Sequence, residues 1–251
     1  MYAIFKNDDD ACVLLPDHRF SHMFKERDNH EVLFRQINTF LIKRGVIKGN
    51  IIDLGAWIGD NSIPWAKNID STIYAIDPSS ENCDFITDVC ALNKIDNVKV
   101  LQMAISNTFE ILRTKDNMEH CSFVYGGSEG EEKLVEAVNL DFLYKSRVIE
   151  NVGYIHLDVE GMEYRIIQGS ERLISGCRPI VTFEQHLEID DVSGIISHIS
   201  NRGYDVFMVD EILPGCRYDC RNFLAFPREK YTDALILEIN EKIGREILVR
   251  K

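Results

Sequence analysis

The chain has 251 residues, 45% of them apolar, enough for one substantial core, and one domain is the default at this size. Acids exceed bases 41 to 28, for a formal net charge of −13, and no basic run is longer than Lys43-Arg44. That balance disfavours nucleic acid as the main partner, because backbone binding draws on clustered lysine and arginine. No apolar stretch approaches the roughly 18 residues of a membrane span. Residues 1–17, with three consecutive aspartates, lack the basic start and apolar run of a secretory signal. The seven cysteines are odd in number and show no paired spacing pattern. Cys216 and Cys220 are four apart, but no second pair or nearby histidine completes a zinc site. Reduced thiols in a cytoplasmic compartment are expected.

Short β-rich runs alternate with helical segments, which predicts a mostly parallel sheet covered on both faces. Residues 1–29 form an extension expected to pack on the domain. Leu33, Ile37, Phe40, Leu41 and Arg44 recur at helical spacing and predict a helix over 30–44. A compact apolar strand over 50–55 follows, then a helix from about Asn61. The next strand, 72–76, ends at Asp77-Pro78, with Ser79 or Ser80 able to cap the helix behind it. Residues 98–104 read as a third strand. Within 106–145, Gly126, Gly127 and Gly130 sit among acids as an exposed turn between two polar strands. A strand over 154–157 closes on Asp158, and a helix after Gly161 turns Ile166, Ile167 and Leu173 inward. Residues 180–183 form another strand, leading to Glu184-Gln185-His186. Residues 205–209 and 223–226 complete the sheet as its antiparallel edge. After a main domain over 30–228, the segment 229–251 carries Tyr231, Leu235, Ile239, Ile243 and Ile247 four apart. This stripe predicts a C-terminal helix, packed on its own domain or forming a homodimer.

Ligands of open α/β sheets bind beyond the carboxyl ends of the strands, where strand order reverses. The first strand there runs into Asp53-Leu54-Gly55-Ala56-Trp57-Ile58-Gly59-Asp60-Asn61-Ser62. Gly55 and Gly59 remove side chains where the chain turns and a ligand nears the backbone. The spacing is not G-x-G-x-x-G, which disfavours a nicotinamide dehydrogenase. An acid two residues before the first glycine suits a ligand with a positive end better than a phosphate. S-adenosylmethionine has an ammonium and a sulfonium, and no phosphate. Asp77 stands at the position of a ribose-reading acid, its two oxygens suited to vicinal hydroxyls. Met103-Ala104-Ile105-Ser106 offers an apolar wall and a polar end for an adenine. The expected cofactor residues are Asp53, Gly55, Ala56, Gly59, Asn61, Ser62, Asp77, Pro78, Ala104, Ile105, Ser106 and Asp158.

These residues resemble a known family. The run Ile51-Ile52-Asp53-Leu54-Gly55-Ala56-Trp57-Ile58-Gly59 is similar to motif I of the FkbM-type methyltransferases, a branch of the class I S-adenosylmethionine-dependent enzymes. Tyr74-Ala75-Ile76-Asp77-Pro78 resembles their second motif, with aspartate where glutamate is usual. Ala91-Leu92-Asn93, Asn97-Val98, Ala104-Ile105-Ser106 and Val138-Asn139-Leu140-Asp141-Phe142-Leu143 follow the family pattern. The most specific piece is Ile155-His156-Leu157-Asp158-Val159-Glu160-Gly161-Met162-Glu163, followed by Ile167-Gln168-Gly169; His156 stands where a lysine is usual. The resemblance covers about residues 31–186. It implies the Rossmann-like class I methyltransferase fold: a mostly parallel seven-stranded sheet, helices on both faces and an antiparallel edge hairpin. It also implies O-methylation of a hydroxyl on a sugar, glycan or glycan precursor. A non-sugar acceptor and a catalytically silent S-adenosylmethionine-binding scaffold are the alternatives.

Methyl transfer to a poorly nucleophilic hydroxyl calls for alignment of the reactants and for a base or a metal that lowers the hydroxyl's pKa. Asp158, Glu184 and His186 end neighbouring strands and are the expected catalytic residues. The same three are the candidate ligands for magnesium or manganese. Glu160 and Glu163 fall at a helix start, where acids are stabilised without further role.

Overall fold

A computed structural model describes residues 3–6, 11–117, 120–122, 132–214, 216–231 and 233–251, without the side chains of residues 28 and 114–133. The chain opens with a hairpin, β1 (Ala3–Lys6) and β2 (Cys12–Leu15), then α1 (Phe20–Glu26) and α2 (Val32–Lys43). The α/β core follows as β3 (Asn50–Leu54), α3 (Ser62–Ala66), β4 (Ile73–Asp77), α4 (Ser80–Asn93) and β5 (Val98–Gln102). Next come β6 (Ala104–Ile105), β7 (Glu110–Asn117), β8 (His120–Ser122), β9 (Glu132–Val138) and α5 (Leu140–Lys145). The second half runs β10 (Val152–Leu157), α6 (Glu163–Gln168), α7 (Glu171–Cys177), β11 (Ile180–His186) and α8 (Val192–Ser200). It closes with β12 (Tyr204–Val209), β13 (Cys220–Pro227), α9 (Asp233–Ile243) and β14 (Leu248–Arg250).

The main sheet has the order β14-β12-β13-β11-β10-β3-β4-β5. From β11 to β5 every pairing is parallel, whereas β13 is antiparallel to both β11 and β12. Strand order reverses between β3 and β10, whose carboxyl ends therefore flank a crevice. The expected seven strands become eight because β14 pairs antiparallel with β12. The expected C-terminal helix is correspondingly shorter. It ends at Ile243, and Ile247, the last member of the stripe, is buried just before β14 instead of extending the helix. Ile239 and Ile247 pack with Phe34, Ile37 and Leu41 of α2, covering one face of the sheet.

Both faces are covered, so the central strands are largely apolar, as parallel strands generally are, with Asp53 on β3 and His156 on β10 as buried exceptions. On β3, Ile52 and Leu54 face the cluster that includes Ile166, Ile167 and Leu173, while Ile51 faces α2. The N-terminal hairpin and α1 bring Phe5, Val13, Leu15, Phe20 and Phe24 against Ile58, Ile63 and Phe85, so residues before the first motif belong to the core.

The expected third strand divides at Met103. Val98–Gln102 stays in the main sheet, and Ala104–Ile105 joins a second sheet of order β6-β9-β7-β8. The glycine turn at 126, 127 and 130 lies outside the described residues. Asn139 caps α5 by accepting the Phe142 N–H at 2.8 Å. Asp141 accepts the N–H groups of Arg172 and Leu173 at the start of α7, at 3.0 and 2.9 Å. Among the described residues no helix is long and apolar enough to cross a membrane.

Candidate functional site

At the carboxyl ends of β3, β4 and β10 lies a cavity of about 670 Å³, inside the range of roughly 300–1,000 Å³ typical of small-molecule sites. Gly55 begins its floor. With φ +74°, it brings the end of β3 so close to the end of β10 that a Cβ would lie 1.7 Å from the Asp158 carbonyl oxygen. Trp57, also at positive φ, donates its N–H to Asp77 Oδ2 at 2.9 Å. Asp77 Oδ1 accepts the Ser79 N–H at 2.8 Å and the Asn82 amide at 3.0 Å. Ser79 is the cap of α4. Asp77 is thus oriented by three donors in the cavity wall, and burial lifts its pKa to about 6.

The structure brings much of the expected site together. Gly55, Asn61, Asp77 and Pro78 line the cavity, as do Ala104 and Ile105 from β6 and Asp158 from the end of β10. Five others point elsewhere. Asp53 is 1% exposed and turned into the core, where its oxygens meet Ser62 Oγ at 2.5 Å and His156 Nδ1 at 2.8 Å. Ser62 is consumed by the same contact. Ala56 packs with Ile58 and Ile63, and a Cβ on Gly59 would press on Ile63 and Ile86 rather than on a ligand. Ser106 is buried and donates to Glu110 Oε1, which also accepts from Arg165 at 2.5 Å. The first-motif acid is therefore a core residue that anchors the glycine turn from beneath.

The opposite wall holds the expected reactive corner. Asp158, Glu184 and His186 all line the cavity. They do not form a metal-binding set: among the described residues, the one group of three whose donor atoms all lie within 4.8 Å is Glu184, Cys216 and Cys220. The geometric reason is that β13 inserts beside β11 and supplies Cys220 opposite His186. Burial, then the Asp158 charge, pushes Glu184 to about 10. Asp158 is raised well above the ordinary carboxyl range by burial and by Glu31. His186 Nδ1 lies 3.5 Å from Asp190, whose carboxylate also accepts the His186 N–H at 2.5 Å. Glu160, at positive φ, is exposed on the cavity rim. Glu163 is buried and accepts the N–H groups of Val159 and Gly161, at 3.0 and 3.4 Å, so it shapes the loop carrying Asp158.

A third wall joins Asn61 and Cys216 to Glu31, Arg35 and His30, three residues not singled out in the sequence. Arg35, on α2, donates to Asp60 Oδ2 at 2.6 Å and Asn61 Oδ1 at 2.8 Å, tying the glycine turn to the helix before it. Glu31 receives the Asn222 amide at 2.7 Å and lies 3.5 Å from Arg35. Burial opposes its charge, but the His30 hydrogen bond and Arg35 hold its pKa at about 2. His30 Nε2 is 3.2 Å from Cys216 Sγ. Cys216 and Glu31 raise His30 to about 10, while Cys220 and His30 lower Cys216 to about 5. The one sequence signal for Arg35 is an arginine inside an amphipathic helix, on a face that the apolar stripe does not reveal.

A model of the methyltransferase FkbM domain matches residues 53–206. No curated protein matches the chain. Among solved structures, a methyltransferase FkbM from Methylobacillus flagellatus KT is similar at 16% identity and a TM-score of 0.50, over 70% of this chain and 43% of that one. The chain thus spans less than half the length of that protein. A SAM dependent methyltransferase from Aquifex aeolicus aligns at 12% identity and a TM-score of 0.47, over 82% and 96% of the two chains. A precorrin-6y C5,15-methyltransferase from Geobacter metallireducens GS-15 aligns at 13% and 0.46, over 78% and 88%. With the family's domain matched across more than half its length, the chain belongs to the methyltransferase FkbM family.

Proposed function

We propose that this methyltransferase uses S-adenosylmethionine to methylate a hydroxyl of a sugar, glycan or glycan precursor. One observation carries the reading: a single cavity joins Asp77 and the Gly55 turn to the corner of Asp158, Glu184 and His186. The residues present fit the cofactor. Asp77 offers a carboxylate for a ribose diol, Ala104 and Ile105 offer an apolar wall, and the turn at Gly55 lines the same cavity. When bound, S-adenosylmethionine supplies an electrophilic methyl group on a sulfonium.

The chain's own role is to bind, align and deprotonate the acceptor. Alignment supplies much of the rate in such displacements. His186, oriented by Asp190, accepts the proton of the attacking hydroxyl. Asp158 and Glu184 hold that hydroxyl by hydrogen bonds from the same wall. The wealth of carboxyl groups suits a polyhydroxylated acceptor, which donates several hydrogen bonds, better than an apolar one.

Calorimetric titration with S-adenosylhomocysteine, beside NADH as control, tests the cofactor; binding of the former alone is expected. Labelled methyl transfer to a panel of glycosides and nucleotide sugars then tests the acceptor. His186→Ala should lower turnover roughly 10²- to 10⁴-fold, the usual worth of a general base, while S-adenosylhomocysteine affinity holds. No binding by folded protein would end the cofactor reading. Transfer confined to non-sugar acceptors would end the sugar reading.

A further inference from the structure

We propose that Glu184, Cys216 and Cys220 form a binding site for a soft divalent cation of the zinc class, set in the cavity wall. The topology explains how three distant residues meet. On paired strands β11 and β13, His186 stands opposite Cys220 and Glu184 opposite Asn222. Side chains alternate along a strand, so Glu184 and Cys220 share one face of the sheet. Two turns then fold the preceding loop back: the Cys216 N–H donates to the Leu213 carbonyl at 3.3 Å and the Cys220 N–H to the Arg217 carbonyl at 3.0 Å. The outcome is that one carboxylate oxygen and both sulfurs lie within 4.8 Å of one another.

Ligands of a tetrahedral zinc ion, with zinc–sulfur bonds near 2.3 Å and zinc–oxygen bonds near 2.1 Å, stand roughly 3.5–3.8 Å apart. A contraction of at most about 1.3 Å therefore closes the set around an ion of this size. Two sulfur donors select zinc over magnesium or manganese, which prefer all-oxygen shells. Cys220 is fully buried, whereas Cys216 and Glu184 line the cavity, so the fourth position opens toward it. That is the pattern of three protein ligands with one exchangeable position. His30 stands beside the set, its Nε2 3.2 Å from Cys216 Sγ and its Nδ1 3.8 Å from Glu31. Hydrogen-bonding groups just outside a ligand set orient the ligands and tune the metal.

The test uses cobalt(II) as a spectroscopic probe on the reduced, metal-free full chain. One equivalent should bring up a thiolate-to-cobalt charge-transfer band, and zinc added afterwards should abolish it by displacement. Cys216→Ser and Cys220→Ser should each weaken cobalt binding by more than about tenfold, the least that loss of a mere outer-shell partner costs. Cys12→Ser, at an exposed thiol in β2, should leave it unchanged. Should either variant misfold, zinc protection of Cys216 from iodoacetamide in the unaltered chain, read by mass spectrometry, decides the matter. Absence of the band, its survival in both folded serine variants, or equal alkylation with and without zinc overturns the site. None of these readouts depends on cofactor binding, so the site and the methyl-transfer reading fail separately.

Discussion

Asp53 Oδ1 and His156 Nδ1 lie 2.8 Å apart on the adjacent parallel strands β3 and β10, each residue 1% exposed. The histidine ring lies tilted against Phe34 and edge-to-face with Trp65, with ring centroids 5.6 Å away in both cases. Burial opposes its charge, but the hydrogen bond and charge of Asp53 prevail and raise its pKa. Where the family motif usually has lysine, this chain places a histidine against the first-motif acid.

His156→Ala should destabilise the fold by about 3–5 kcal/mol, because it leaves a buried carboxylate unpaired. His156→Lys, which restores a cation, should cost less. The sign with pH follows from a raised folded-state pKa: the pair's contribution is full below the ordinary histidine value and is lost as pH climbs through the raised one. Urea unfolding of the three proteins at pH 6 measures both effects. A loss under about 1 kcal/mol for the alanine variant would mean that the pair is not holding the strand ends together.

Gly55 and Gly45 share a left-handed φ, +74° and +67°, but not a setting. A Cβ on Gly45 meets nothing within 4 Å, whereas on Gly55 it meets the Asp158 carbonyl at 1.7 Å. Gly45→Ala should therefore cost only the backbone strain, about 1 kcal/mol. Gly55→Ala must also push the ends of β3 and β10 away from each other, and should abolish S-adenosylhomocysteine binding even where the protein still folds. Comparable behaviour of the two variants would show that the close approach is unimportant.

What could be read from the sequence followed chain-local chemistry. The glycine turn, Asp77 at a strand end and the Ser79 cap depend on neighbours within a few residues, and all three stand where their spacing placed them. Asp53 shows the limit. Its position before the glycine is legible, but whether it faces ligand or core depends on His156, 103 residues later. Ser106 fails likewise, because Glu110 and Arg165 claim its side of the turn. The Cys216–Cys220 pair looks incomplete in the sequence because its acid, Glu184, arrives through an antiparallel strand insertion that no local pattern announces.

Arg35 shows how a helix outside the motifs governs the site. It binds both Asp60 and Asn61 while its Nε donates to the His30 carbonyl at 3.1 Å. Arg35→Met keeps much of the apolar stem and removes the nearer of two cations from Asp60, a carboxylate that is 7% exposed, leaving Arg27 at 3.9 Å. The expected cost is about 1.5–3 kcal/mol, the usual worth of a hydrogen bond to a charged group, with weaker S-adenosylhomocysteine binding as the turn loosens. Unfolding and titration on one preparation separate the two. Unchanged affinity would show that α2 stabilises the turn without shaping it.

Asp77 should make stability and affinity respond to pH in opposite directions. Burial raises its folded-state pKa from 3.8 to about 6, so the empty protein holds this proton more tightly than the unfolded chain does. Its contribution is therefore most favourable below pH 3.8 and declines as pH rises toward 6, by about 3 kcal/mol at 1.36 kcal/mol per pKa unit. A ribose diol, by contrast, donates hydrogen bonds, and an ionised acceptor takes them more strongly than a neutral one. S-adenosylhomocysteine affinity should accordingly rise through pH 6, by roughly tenfold between pH 5 and 8, the equivalent of one charge-assisted hydrogen bond. Asp77→Asn fixes the neutral state, flattening this titration and binding at or below the low-pH level of the parent. An equally steep rise in the asparagine variant would place the titrating group elsewhere in the cavity and remove Asp77 from the ribose.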